Sequence, residues 1–241
     1  MTAAEIKFVK SLSQKKFRDQ YGLFAVEGEK LVAEALASSF EVVNIFRREE
    51  IGEKAMERIS SLSSPSPVLA VLRQKNTGPA GLPSNGLYLA LDGIRDPGNL
   101  GTILRIAAWF GLDGVYASED TVELYNPKVV QSTMGAIFRV NYSVTSIPTL
   151  CREVRSFSGR IYGTFLDGEN LYSKVLDSGL GSPSLIIIGS ESDGISPGVA
   201  SEINERLFIP PYPAGASGSE SLNAAVATAV TVAEFRRRQH A

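Results

Sequence analysis

Among its 241 residues the chain has one cysteine, Cys151, and one histidine, His240. A lone cysteine excludes an internal disulfide and any zinc site built from several thiolates, and a single histidine at position 240 argues against histidine-based acid–base chemistry. No metal is expected. No run approaches the roughly 20 consecutive apolar residues that a membrane-crossing helix needs. Met1 to Lys10 lacks the apolar centre of a secretory signal, so a cytoplasmic location is the expectation. Neither sign of charge dominates, with a formal net charge of −2 and a sequence pI near 5.6. The molecule as a whole therefore carries no basic footprint for nucleic acid, and any RNA contact has to be local. Two nucleotide fingerprints are missing as well: the first glycine-rich loop places its glycines at 93, 98 and 101, which is not GxGxxG, and no GxxxxGK[ST] run occurs. A nucleotide-dependent oxidoreductase or phosphate-binding enzyme thus lacks its signature.

What is present suits a folded α/β protein, 44% hydrophobic and 21% charged. Residues 1–75 read as a small α/β unit: a basic helix, the stretch Gly22 to Gly28, a helix around Glu29 to Ala37, and strands Val42–Phe46 and Val68–Leu72 flanking a helix rich in Glu and Lys. Ser60 to Pro67 reads as a loop within it. Between Lys7 and Arg18 stand five cations (Lys7, Lys10, Lys15, Lys16, Arg18) and no acid. Two readings of that stripe stand: a solvated helix face, or a local RNA contact. Residues 76–86 collect Gly, Pro, Asn and Ser and are placed as a linker. From 87 to 241 short apolar runs alternate with helical segments, the pattern of a mostly parallel sheet covered by helices. Its strands are expected at Leu87–Leu91, Gly114–Ala117, Val140–Val144, Ile161–Phe165, Leu185–Gly189 and Arg206–Ile209.

Three loops follow such strands. The first runs from Asp92 to Gly101 and opens a helix expected to end at Gly111, with Asn99 placed as its N-cap. On that helix Leu100, Ile103, Leu104 and Ala107 form one apolar stripe, and Arg105 points to nearly the opposite side with Thr102 and Trp109. Arg105 then faces a cleft or a partner, although an ordinary surface arginine would look the same. The second loop, Gly189-Ser190-Glu191-Ser192-Asp193-Gly194-Ile195, follows the buried run Leu185–Ile188. A glycine at that strand end allows close approach of a ligand to the backbone, and Ser196 and Pro197 start a helix. The third runs from Pro210 to Glu220 and enters a helix at Ser221-Leu222-Asn223. From Ala224 to Ala233 that helix is apolar nearly all round, so it must be buried on several sides or shared with another subunit.

Together the three segments resemble the three motifs of the SpoU/TrmH branch of the SPOUT methyltransferases. The first motif is carried by Asp96-Pro97-Gly98-Asn99 through Arg105, the second by Gly189-Ser190-Glu191 through Gly194-Ile195-Ser196, and the third by Ile209-Pro210 followed by Glu220-Ser221-Leu222-Asn223. Asn126-Pro127-Lys128 to Gly135-Ala136 is similar to the family's intervening segment. In residues 1–75, Lys15 to Arg18, Gly22-Leu23-Phe24 and Val26 to Leu31 resemble the RNA substrate-binding domain, L30e-like in fold, that many members carry.

The resemblance implies a C-terminal SPOUT domain with a trefoil knot, working as a homodimer through its last helix. It implies methylation of a ribose 2′-hydroxyl in structured RNA, ribosomal RNA first and transfer RNA second, with S-adenosyl-L-methionine as methyl donor. Backbone groups near Gly189, Ile209 and Leu222 would hold the donor, with Thr164, Phe165 and Leu166 lining the same pocket. Arg105, Asn99, Glu191, Ser221 and Asn223 would form the catalytic set. Arg105 is left with two roles, a base assisted by an RNA phosphate or a clamp on that phosphate. A binding protein that kept the fold without catalysis is the rival, opposed by the presence of all five. The stretch from Pro211 to Gly218 is longer than the family's turn and reads as a flap over the pocket or an exposed bulge.

Overall fold

The computed structural model describes residues 1–76, 84–177, 179–213 and 221–239. In chain order its first elements are α1 (Ala3–Ser11), α2 (Lys15–Tyr21), β1 (Leu23–Glu27), α3 (Glu29–Leu36), β2 (Val42–Arg47), α4 (Arg48–Ile51), α5 (Glu53–Ile59) and β3 (Val68–Arg73). Then follow β4 (Gly86–Asp92), α6 (Pro97–Trp109), β5 (Gly114–Ala117), α7 (Pro127–Ser132), β6 (Tyr142–Val144) and α8 (Ile147–Ser156). The chain continues through β7 (Arg160–Asn170), β8 (Pro183–Gly189), α9 (Pro197–Ala200), β9 (Glu205–Phe208) and α10 (Ala224–Gln239). They form two units, Met1–Asn76 with Glu123–Arg139, and Thr77–Val122 with Val140–Ala241. Residues 77–83 of the expected linker, 214–220 of the third loop, and His240 lie outside the described residues.

The first unit is built on a three-stranded antiparallel sheet in the order β1-β3-β2. Its central strand holds that place by composition: Val68 to Leu72 is apolar without interruption and at most 5% exposed. The basic stripe folds as two helices. Thr2 caps α1 in a capping box with Glu5, and Gly22 ends α2 in the left-handed region at φ 62°. The stretch between Gly22 and Gly28 is a strand, β1, which alternation cannot reveal because both its faces are covered. The buried Glu27 carboxylate organises the Ser60–Pro67 loop, accepting from Ser60 Oγ (2.6 Å), Ser61 N (3.1 Å) and Ser66 N (3.1 Å). Glu123–Arg139 joins this unit through side chains: Glu123 pairs with Arg18, Tyr125 lies 4.5 Å from Phe24, and Phe138 lies 5.2 Å from Phe40.

The second unit agrees with the expected α/β class. Its six strands are all paired in parallel in the order β6-β5-β4-β8-β7-β9. Strands β4 and β8 are central and apolar, with Leu87, Leu89, Leu91, Ile186 and Ile187 fully buried. On one side of the sheet Tyr88, Ile147, Leu150, Cys151, Val154, Ile187 and Val199 make one core cluster. Burial pushes the Cys151 thiol up to about 12, which makes it an inert core residue.

Three details differ from expectation. Strand β6 begins at Tyr142 rather than Val140, and β7 runs on to Asn170, five residues past Phe165. Helix α6 begins at Pro97, and its N-cap is Asp96, whose Oδ1 accepts from Asn99 N at 2.8 Å. Asp96-Pro97 is itself a start signature, an acceptor side chain ahead of a proline at the first helical position, so Asn99 is released from capping. Helix α10 buries Ala224, Ala225, Thr228, Thr231, Val232 and Phe235, while Val226 is 48% exposed and Ala229, Val230 and Ala233 are half-buried. Among the described residues no helix is long and apolar enough to cross a membrane.

Candidate active site

Parallel pairing carries the three loops to one edge. Asp92 is in register with Gly189, Gly163 with Ile187, and Thr164 with Leu207, so the chain leaves β4, β8, β7 and β9 on the same side of the sheet. The strand order reverses between β4 and β8, and open α/β sheets bind ligands at such a point.

The second loop folds back on its own strand. Ser190 and Gly194 exchange two backbone hydrogen bonds of 3.0 Å, and Asp92, buried at the end of β4, accepts from Ser196 N at 2.7 Å. A Cβ on Gly189 would lie 2.2 Å from the Gly194 carbonyl carbon and 2.3 Å from Ile195 N. The glycine is therefore required by its own loop, and the backbone that approaches it closely is Gly194–Ile195. Arg95 of the first loop pairs with Asp193 of the second at 3.6 Å.

Three sequence-selected side chains meet here. Asn223 Nδ2 donates to Asn99 Oδ1 at 2.9 Å, and Asn99 Nδ2 donates to Glu191 Oε1. Asn223 Oδ1 meanwhile accepts from Ala225 N (3.0 Å) and Val226 N (3.3 Å), capping α10. One asparagine thus fixes the start of α10 and orients another on α6, which in turn holds a carboxylate from the β8 loop. Asn99 is half-buried, and Glu191 and Asn223 are exposed. Ser221 and Leu222 precede Asn223 at exposed positions.

Arg105 sits apart from this chain of contacts. Six residues along α6 from Asn99, it lies about 9 Å further up the axis and roughly 120° around it. It is exposed, and among the described residues it makes no hydrogen bond or ion pair. Trp109, one turn on, is 86% exposed.

The expected donor-pocket residues lie along the β7–β9 end of the edge. Thr164 and Glu169 of β7 both pair with Leu207, so residues 165–168 form an excursion from the sheet. Gly168 permits it, because a Cβ there would meet the Leu207 backbone at 2.5 Å. Arg206 pins it: the guanidinium lies 3.5 Å from the Phe165 ring centroid and 2.5 Å from Asp167 Oδ1, holding the Asp167 carboxyl below the usual carboxylate range. Leu166 (71% exposed) and Leu222 (47%) are accessible apolar side chains, with Phe165, Ile209 and Gly189 half-buried. Accessible apolar side chains on the β7 excursion and ahead of α10, with the Glu191 carboxylate on the β8 loop, suit a ligand with an apolar ring and a cationic centre. Sequence reasoning missed Asp92, Arg206 and Asp167; their roles come from pairings across the fold and leave no local pattern.

The basic stripe divides. Arg18 is 2% exposed, donates to the Leu12 carbonyl at 2.8 Å and pairs with Glu123; it is an internal strut and cannot reach RNA, a correction to the expectation. Lys15 is tied to Asp19 at 2.5 Å. Lys7, Lys10 and Lys16 are exposed. In the intervening segment Asn126 caps α7 through Lys128 N at 2.9 Å. Among the described residues no group of His, Cys, Asp or Glu could hold a metal ion.

The chain matches known proteins at the level of family, relatives and solved structures. Residues 86–233 match the model of the SpoU rRNA Methylase family, and residues 3–69 match an MRM3-like substrate binding domain. A Bacillus subtilis relative, 23S rRNA (guanosine(2553)-2'-O)-methyltransferase RlmP, is 29% identical over 96% of this chain and 96% of its own. Among solved structures, a Porphyromonas gingivalis protein assigned as an RNA methyltransferase of the TrmH family superposes with TM-score 0.88 at 37% identity, over 99% of each chain. An AdoMet-bound rRNA methyltransferase from Sinorhizobium meliloti superposes with TM-score 0.87 at 27% identity, over 99% of this chain and 96% of that one.

Proposed function

The chain belongs to the SpoU rRNA Methylase family, and from that premise we propose that it transfers a methyl group from S-adenosylmethionine to a ribose 2′-hydroxyl of structured RNA. Ribosomal RNA is the substrate proposed, with transfer RNA next. The observation that carries this reading is the run Asn223–Asn99–Glu191, which ties three loops together at the C-terminal edge of the sheet.

The donor supplies an electrophilic methyl carbon on a positively charged sulfur. Thr164, Phe165, Leu166, Ile209 and Leu222 hold its apolar parts, with backbone groups near Gly189. Asn99, oriented from both sides, keeps the Glu191 carboxylate in place to accept from a ribose hydroxyl and to favour the cationic donor. Ser221 shapes the same cleft. Arg105 acts as a phosphate clamp: its guanidinium stays charged, nothing among the described residues neutralises it, and a bidentate grip on phosphate steers the 2′-oxygen into line. Bound there, S-adenosylmethionine would supply the methyl group and leave as a neutral thioether, and the 2′-hydroxyl held by Glu191 and steered by Arg105 would give its proton to solvent.

Residues 1–75 act as the substrate-binding domain and 87–241 as the catalytic SPOUT domain, whose site loops form its trefoil knot. The partly uncovered apolar side of α10, including Val226, Val230 and Ala233, together with Trp109 of the adjoining α6, supports a homodimer through this domain. The protein works in the cytoplasm. The test is transfer of tritiated methyl from S-adenosylmethionine to RNA lacking the modification, for wild type and Arg105→Ala, followed by nuclease mapping. Label in a ribose, lost in the variant, supports the reading; label on a base, or no transfer to any RNA, overturns it.

A further inference from the structure

One face of the N-terminal unit lies outside the machinery described so far. Helix α2 carries Phe17 and Tyr21 four residues apart on one side, their rings 12° from parallel with centroids 6.4 Å apart. Phe8 of α1 meets Tyr21 edge-on, at 5.1 Å and 66°. Phe17 and Tyr21 lie outside the core cluster that contains Ile6, Val9 and Leu12, and Phe8 packs against its margin; Phe8 and Phe17 are half-buried and Tyr21 is 40% exposed. Cations border the cluster. Lys16 Nζ stands 5.9 Å from the Phe17 ring centroid, and Lys7, next to Phe8 in the chain, is exposed, as is Lys10.

We propose that this face binds an unstacked nucleotide of the substrate RNA, its base lying on Tyr21 and its flanking phosphates meeting Lys7 and Lys16. Lysines alone grip phosphates without distinguishing paired from unpaired RNA. An accessible aromatic ring adds a surface that only a base freed from its helix can cover, and stacking of that kind tolerates any base. Phe8 and Phe17 hold the Tyr21 ring before RNA arrives, so little freedom is lost on binding. The N-terminal unit thereby selects single-stranded or looped RNA, while identification of the methylated nucleotide stays with the catalytic unit. The inference rests on the RNA reading above for its partner.

The experiment measures binding of the full chain to a fluorescent single-stranded RNA and to a duplex of the same composition, across a salt series. It compares wild type with Tyr21→Leu, which keeps apolar packing but removes the π face, Tyr21→Phe, which keeps both, and Lys16→Gln. Stacking on an aromatic ring corresponds to roughly a 5- to 150-fold effect. Tyr21→Leu is expected to weaken single-strand binding at least about fivefold, with the salt slope and duplex affinity unchanged. Tyr21→Phe should bind as wild type, and Lys16→Gln should lower the slope by about 0.7. Equal single-strand affinity for Tyr21→Leu and wild type overturns the proposal and leaves a phosphate-only contact. Methyl transfer by the same wild-type preparation is measured in parallel, so loss of the catalytic reading, with no transfer to any RNA, is told apart from loss of the stacking face.

Discussion

Replacing Asn223 with aspartate separates the two tasks of that residue. The Oδ1 acceptor that caps α10 through Ala225 N and Val226 N is retained, and a carboxylate at a helix N-terminus is favoured by the helix dipole. The Nδ2 donor to Asn99 Oδ1 is lost, and an acceptor takes its place. Asn99 cannot repair this by turning its amide over. Doing so gives its NH2 to the new carboxylate but presents its carbonyl to the Glu191 oxygen that it now serves as donor. Whichever way the amide lies, one acceptor meets another. A hydrogen bond lost in this way costs about 0.5–1.5 kcal/mol, more where a charged partner is stranded, and each 1.4 kcal/mol is a factor of about ten in rate if the loss falls on the reactive arrangement. Asn223→Asp should therefore reduce single-turnover methyl transfer by about 10-fold or more while melting close to wild type. Asn223→Ala removes the cap as well and should lose about 1 kcal/mol of stability. Single-turnover rates and thermal melts on the three proteins decide it. Wild-type activity in Asn223→Asp, or a melting loss equal to that of Asn223→Ala, would refute the reasoning.

Arg105→Ala should lower methyl transfer by about 10- to 100-fold, the worth of a charge-assisted phosphate contact, with stability within about 0.5 kcal/mol because the side chain is exposed and makes no hydrogen bond or ion pair among the described residues; Arg105→Lys should recover part of the rate, which steady-state kinetics and a melt would check. Gly189→Ala places a methyl against the Gly194–Ile195 backbone, a clash that cannot relax by side-chain movement, and should cost about 1–3 kcal/mol, read by urea unfolding. The Glu234 carboxyl is pulled down to about 2, first by its hydrogen bond to Arg237 and then by Arg238. A depressed carboxyl stabilises the fold above its ordinary value of 4.5 and loses that contribution as pH falls from there towards about 2. Urea midpoints for wild type should therefore decline more steeply across that window than those of Glu234→Gln, and parallel curves would contradict the assignment.

The strands of the second unit were legible because short β-branched apolar runs such as Leu185–Ile188, closed by Gly189, suit a buried parallel strand better than a helix. The candidate residues were legible as motif members. Their contacts were not: Asn99 and Asn223 are 124 positions apart, and no local pattern shows that one orients the other. Asn99 looked like the N-cap because it precedes an apolar stripe, yet Asp96-Pro97 three residues earlier supplies a better start. Arg18 matched its neighbouring lysines in sequence, and its partners, the Leu12 carbonyl and Glu123 over a hundred residues on, take it out of the surface.

By itself, the sequence determined the α/β class, the small α/β unit ahead of a parallel-sheet unit, and the short list of polar residues at strand ends, since these follow from periodicity, turn chemistry and composition acting over a few neighbours. Only the tertiary structure decided which of those residues meet, which cation is a strut, that Gly189 serves its own loop, and that Arg206 pins the excursion of β7. Those outcomes depend on strand order and parallel register, which bring distant segments to one edge, and no local pattern encodes a contact whose partner lies a hundred residues away.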